Sequence, residues 1–160
     1  MIVVADTSPL NYLVRSRYIW ILRDLFGEVV IPRAVLTELL HPNAPGEVRQ
    51  FGEQPPPWIR VVDVEKQVSG LDRSLGSGER EAISLALALR ADALLIDDLP
   101  GRKEALSRGV PARGTMAVLL QASLRGYVEF PIAYAKLLEL GFRTSPGLEK
   151  SLFDEYERNG

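Results

Sequence analysis

The chain has no cysteine and only one histidine, His41. The first absence excludes a disulfide framework and thiolate chemistry. The second makes zinc a poor choice of metal and leaves Ser8 and Thr115 without a nearby histidine to activate them as hydrolase nucleophiles. His41 itself, beside Pro42, reads as a surface or helix-end residue. A basic excess is also lacking: 19 Lys and Arg face 21 Asp and Glu, for a net charge of -2. Proteins that coat nucleic acid electrostatically show the opposite balance. A local basic rim remains open, with Arg15, Arg17 and Arg23 early and Arg102, Lys103, Arg108 and Arg113 in the second half. No apolar run approaches the ~20 residues of a membrane span, and Met1-Ile2-Val3-Val4 reads as a strand rather than a basic leader. The expectation is a cytoplasmic protein with no membrane contact.

What is present is 160 residues, 46% hydrophobic, enough for one domain over 1–160 with a core that needs no covalent staple. Ile2 to Ala5 reads as a buried strand, continuously apolar as in parallel sheets. Thr7 or Ser8 offers a helix cap with Pro9 as the first helical residue, and the helix is expected over 10–18. A helical patch over 19–26 ends at Gly27, a strand covers 28–31, and Pro32 opens a helix with Val35, Leu36, Leu39 and Leu40 on one face. Residues 43–57, rich in Pro, Gly and Gln, read as a surface excursion with at most a short helical turn. An extended run over 58–64 and a glycine-punctuated loop over 71–78 lead to a largely apolar helix over 79–90, capped by Ser77. Strands over 93–96 and 110–113 flank a short helix over 101–107. Helices over 114–124, 131–140 and 148–156 complete the chain, the last two packing on or extending the domain. Strands alternating with helices imply a mostly parallel sheet covered on both faces.

Acids gather where strands end. Val4-Ala5 runs into Asp6, and Leu95-Ile96 runs into Asp97-Asp98. In an open parallel sheet the carboxyl ends of the strands form the ligand crevice, and carboxylates collected there repel one another unless a cation or proton is shared. Each acid also has an ordinary account. Asp6 can cap the helix that follows, Asp97 and Asp98 can form a solvated turn, and Glu38 lies just outside its helix's apolar stripe. Glu79 and Glu81 sit in a first turn, where the helix dipole favours acids. Two residues apart, they are rotated by ~200° around the helix, so one at most faces a common ion. An all-carboxylate site suits Mg²⁺ or Mn²⁺.

In order and spacing, Val4-Ala5-Asp6-Thr7-Ser8-Pro9-Leu10, Glu38-Leu39, Gly78-Glu79-Arg80-Glu81-Ala82-Ile83, Leu95-Ile96-Asp97-Asp98 with Arg102, and Gly114-Thr115 resemble the PIN domain, in its VapC-like toxin branch. The likeness runs from Ile2 to about Phe142. It implies a three-layer α/β/α sandwich and a Mg²⁺- or Mn²⁺-dependent ribonuclease. It further implies a homodimer held inactive by a cognate antitoxin protein. The family's first, second and fourth acids fall on Asp6, Glu38 and Asp98, with Asp97 beside the last. The third falls on Glu81 by the family's helix start and on Glu79 by the Gly-Glu signature. Ser8 would hydrogen-bond a ligand or phosphate, and Arg102 and Arg15 would position the RNA backbone, as phosphate contacts do without reading sequence. The sequence departs from the branch at Leu99-Pro100-Gly101, where a more basic helical segment is usual, and in having glutamate at the third acid. A receiver-type phosphoacceptor domain would need its acidic pair after the first strand, and a haloacid-dehalogenase-like phosphatase would need an aspartate where Ser8 stands. A PIN-like module that binds RNA or a partner with little catalysis is the alternative function.

Overall fold

Strands of two to four residues can form a stable sheet only if both faces are covered, and here they are. The structure, a computed structural model, describes residues 1–159. Strand β1 (Val3–Ala5) leads to α1 (Thr7–Ser16) and α2 (Trp20–Phe26), then β2 (Val29–Pro32), α3 (Arg33–Leu39), α4 (Gly46–Glu53) and β3 (Ile59–Val62). Helix α5 (Ser77–Leu89), β4 (Ala93–Leu95), α6 (Leu99–Ser107) and β5 (Ala112–Arg113) follow, and α7 (Thr115–Leu124), α8 (Phe130–Glu139) and α9 (Pro146–Asn159) close the chain.

The sheet is parallel throughout, in the order β3-β2-β1-β4-β5. Side chains alternate between faces along a strand, and the apolar strands divide accordingly. Val3, Ala5, Val29, Ile31, Ala93 and Leu95 join one core with residues of α1, α2, α7, α8 and α9. Val4, Val30, Leu94 and Ile96 join a second core with α5 and Ala105 of α6. This is the expected three-layer α/β/α sandwich.

Successive strands step outward from β1 in one direction through β2 and β3 and in the other through β4 and β5. The order therefore reverses between β1 and β4, which pair in register from Val3 with Ala93 to Ala5 with Leu95. Crevices form at such reversals, outside the carboxyl ends of the strands. The Asp6 N–H donates to the Leu95 carbonyl at 2.9 Å, which brings the residue after β1 alongside the residues after β4.

The structure corrects three boundaries. Helix α1 spans Thr7–Ser16: it starts before Pro9, the expected first helical residue, because Thr7 and Ser8 turn their hydroxyls to distant carboxylates instead of capping, and it ends before Tyr18. The excursion over 43–57 contains two turns of helix, α4, which buries Val48 against the first core. Helix α5 is preceded by Gly76 rather than Ser77 as its cap residue, and the Gly76 N–H is held by Glu79 at 3.0 Å.

Candidate functional site

Asp6 stands at the N-terminus of α1 and makes no capping hydrogen bond with its side chain. The residue is only 4% exposed, and its Oδ1 is buried without a hydrogen-bond partner. A buried carboxylate in that state is costly. Burial pushes its pKa up to about 8, and repulsion from Glu79, Glu38 and Asp97 adds to the rise, offset in part by the neighbouring Thr7 backbone N–H.

The acids around it are tied down one by one. Asp97 Oδ1 accepts the Thr115 N–H at 2.7 Å, and its Oδ2 accepts the hydroxyls of Thr115 at 2.7 Å and Ser8 at 2.8 Å. Asp98 caps α6, its Oδ2 accepting the Gly101 N–H at 2.9 Å. Glu79 accepts from Gly76 as above. Glu38, on α3, accepts the Thr7 hydroxyl and, at 2.9 Å, the Gly78 N–H at the start of α5. A Cβ on Gly78 would come within 2.6 Å of the Glu38 carboxylate. Glycine before Glu79 is thus what lets Glu38 reach the start of α5.

Asp6, Glu79, Asp97 and Asp98 line one open pocket of about 400 Å³ with Ser8, Tyr12, Phe142 and Arg143. Glu38 sits behind it, near enough for its charge to act on Asp6. Glu81 is not brought there: its Oε1 accepts the Ala34 N–H at 3.0 Å, closing the first turn of α3, whose cap residue Pro32 has no side-chain acceptor. The rotation of ~200° between the two glutamates sends one to the pocket and the other to α3. Arg15 is committed elsewhere, one guanidinium nitrogen at 3.5 Å from the Leu140 carbonyl and the group 5.8 Å from the centre of the Tyr12 ring. Arg102 borders an adjoining cavity that shares Asp97. His41 is exposed and accepts the Asn43 N–H at 3.0 Å.

Sequence reasoning gave no site role to four contributors, two of which, Thr7 and Thr115, lie within the motifs that resemble the PIN domain. Thr7 and Thr115 hold Glu38 and Asp97, and Tyr12 and Arg143 line the pocket. A signal for Thr115 was available, since the chain re-enters a helix at Gly114-Thr115 directly after the strand that pairs with β4.

All the site's donors are oxygens, and the orphaned Asp6 Oδ1 amid like charges fits a hard divalent cation. Among the described residues, no three His, Cys, Asp or Glu side chains already stand together as a cage for an ion. Carboxylates left to repel one another hold apart on their own hydrogen bonds.

Fold and site define a class: an α/β/α sandwich with acids at the reversal point of a parallel sheet. A sequence profile of the PIN domain matches residues 2–158, and the chain belongs to the PIN domain family. Members of this family are generally nucleases, typically use divalent metal ions and are generally cytoplasmic. A PilT N-terminus domain protein from the hyperthermophilic archaeon Sulfolobus solfataricus has a similar solved structure. The TM-score is 0.56 at 18% identity, over 76% of this chain and 93% of that one, a likeness of fold. No curated protein matches the sequence significantly. Among the described residues, no helix is long and apolar enough to cross a membrane.

Proposed function

We propose that the chain is a Mg²⁺- or Mn²⁺-dependent ribonuclease that hydrolyses phosphodiester bonds in RNA, and that it serves as the toxin of a type II toxin–antitoxin pair. The observation that carries the nuclease reading is Asp6, buried, unpaired at Oδ1 and surrounded by the charges of Glu79, Glu38 and Asp97. Without a cation the fold keeps this carboxyl protonated to about pH 8, and a bound divalent ion would let it ionise at neutral pH.

Asp6, Glu79, Asp97 and Asp98 are the residues that would hold the ion, and Glu38 deepens the negative field from behind. A divalent ion there supplies positive charge that lowers the pKa of a water and stabilises the charge developing on the phosphate. The chain's own residues fix the geometry. Ser8 and Thr115 clamp Asp97 from two helices, so that its carboxylate cannot swing away when the site is empty. Arg102, in the wall of the neighbouring cavity, would meet a phosphate, whereas Ser8, its one hydroxyl proton given to Asp97, would act by holding that carboxylate.

The test is cleavage of single-stranded RNA with Mg²⁺ or Mn²⁺ by the wild type and by Asp6→Asn and Asp98→Asn. Wild-type cleavage that needs the metal and falls at least a hundredfold in Asp6→Asn is expected. Clean wild-type protein that cleaves no RNA under either metal sinks the enzyme reading. The alternative is a module that binds RNA or a partner with little catalysis. Metal-independent RNA binding, unchanged in Asp6→Asn, would decide for it. The antitoxin and homodimer rest on the likeness to VapC-like toxins. Exposed Ile132 and Leu138 on α8 offer apolar surface for such contacts, and co-purification with the product of an adjacent small gene tests the pairing.

A further inference from the structure

Next to the acid pocket, a second cavity of about 180 Å³ opens between α6, α7 and the segment entering α9. The two share a wall of Asp97, Phe142 and Arg143. Leu99, Met116, Phe142 and Leu148 give it an apolar lining, and it is smaller than the ~300–1,000 Å³ of pockets that bury a drug-sized ligand. One planar ring system fits such a volume; a whole nucleotide does not.

Cations guard its mouth. Arg102 is partly buried, yet among the described residues none of the ion pairs includes it. Its Nη1 and Asp97 Oδ1 each lie 2.9 Å from where a Cβ on Gly114 would stand, so glycine keeps the passage between the guanidinium and the acids open. Arg143 is exposed and spends one nitrogen on the Phe142 carbonyl at 3.0 Å, and among the described residues its other donors have no partner. Free guanidinium donors over an apolar slot suit an anion attached to a flat apolar ring, since the guanidinium fork matches phosphate oxygens.

We propose that this cavity receives the base of the nucleotide adjoining the scissile phosphate, with Arg102 and Arg143 engaging that nucleotide's backbone. The proposal rests on the ribonuclease reading for its substrate, and it makes Phe142, Met116 and Arg143 determinants of where along an RNA the acids act. Phe142 is held in place for this by its edge-on contact with Tyr12, ring centres 5.1 Å apart.

Methionine occurs twice in the chain, as Met1 and Met116, which gives the cavity its own reporter. In full-length protein with labelled methionine methyl groups and Mg²⁺ present, AMP, CMP, GMP and UMP are each titrated alongside ribose 5-phosphate. At least one nucleotide is expected to shift the Met116 methyl signal and to bind at least tenfold more tightly than ribose 5-phosphate. Ala117→Phe and Leu148→Trp, which fill the cavity from two sides and are checked for cooperative melting, should each erase that tenfold preference. A Met116 signal that no nucleotide moves, or a preference that survives both folded variants, overturns the proposal. Wild-type protein that passes this test but cleaves no RNA would refute the nuclease reading alone. Cleavage without the base preference would refute the cavity alone.

Discussion

Two regions of this protein each bury a titratable group, and they treat it in opposite ways. Under α8 and α9, Tyr134 is 4% exposed and donates its hydroxyl to Glu149, among Phe130, Phe153 and Tyr156. At the carboxyl edge of the sheet, Asp6 is equally buried and has an oxygen with no partner. Burial raises both pKa values. For the tyrosine, neutral at ordinary pH, the rise costs nothing. For the aspartate it means that the fold holds a proton an exposed carboxylate would have lost, at a free-energy cost that grows as the pH rises toward 8. One region is finished by the chain itself, and the other leaves a buried carboxylate oxygen without a partner in the chain.

The contrast predicts that the two regions respond to mutation with opposite sign. Phe130 is fully buried with ring centres of Phe153, Tyr156 and Tyr134 at 4.9, 5.5 and 6.2 Å. Phe130→Ala should therefore lower stability in urea unfolding by ~3–5 kcal/mol while leaving the response to Mg²⁺ intact; a loss of less than about 1 kcal/mol would mean that the cluster is not a stability centre. Asp6→Asn should do the reverse: it removes the buried charge while leaving a polar amide in its place, so it should raise the stability of the metal-free protein at pH 8 or above by at least ~1 kcal/mol, about one pKa unit of linkage, and abolish stabilisation by Mg²⁺ or Mn²⁺.

The pH dependence has a definite sign. Below pH 3.8 Asp6 is protonated folded or unfolded, and the neutral form is tolerated. Between about 4 and 8 the unfolded chain has lost the proton that the fold retains, so stability falls as pH rises and levels off above 8. Chemical unfolding of wild type and Asp6→Asn across this range measures it, and parallel profiles for the two would break the comparison.

The strand-end acids were legible because a continuous apolar run followed by Asp is a local pattern, and β1 and β4 carry it as Val3–Ala5 before Asp6 and Ala93–Leu95 before Ile96-Asp97. What holds those acids was not local. Thr115 reaches Asp97 only because β5 pairs beside β4 and delivers the next helix there. Ser8 and Thr7 read as caps, since nothing nearby in sequence announces Asp97 or Glu38 as their partners. Helix α4 was hidden for a related reason. It has few apolar positions, and it is stabilised by tertiary contact, with Gly52 so close to α3 that an added Cβ would lie 3.0 Å from Leu40. The cavity beside the acids joins α6, α7 and α9, a conjunction that no periodicity in the chain encodes.

Helix α5 repeats the comparison over a single turn, with Glu79 facing the acid pocket and Glu81 serving α3. Glu81→Ala should cost about 1 kcal/mol, as the loss of a helix cap does, with Mg²⁺ affinity unchanged. Glu79→Ala should weaken Mg²⁺ binding at least tenfold in a calorimetric titration. Interchange of these two outcomes would move the third acid from Glu79 to Glu81.

The smallest effect belongs to the finished region. Tyr134→Phe removes the hydroxyl donated to Glu149, for which the net contribution of one hydrogen bond, ~0.5–1.5 kcal/mol, is the expected loss. Burial, followed by the Glu149 contact, raises the Tyr134 pKa well above its ordinary 10.0. A group whose folded pKa is raised contributes stability that is whole below its unfolded pKa and lost as pH climbs past it. The wild type should accordingly begin to lose stability near pH 10, while Tyr134→Phe, starting lower, loses less over the same interval. Converging unfolding curves above pH 10 support the assignment. Curves that stay parallel there would show that the Tyr134 hydroxyl is no better satisfied than the Asp6 carboxylate, and that the two regions do not differ in kind.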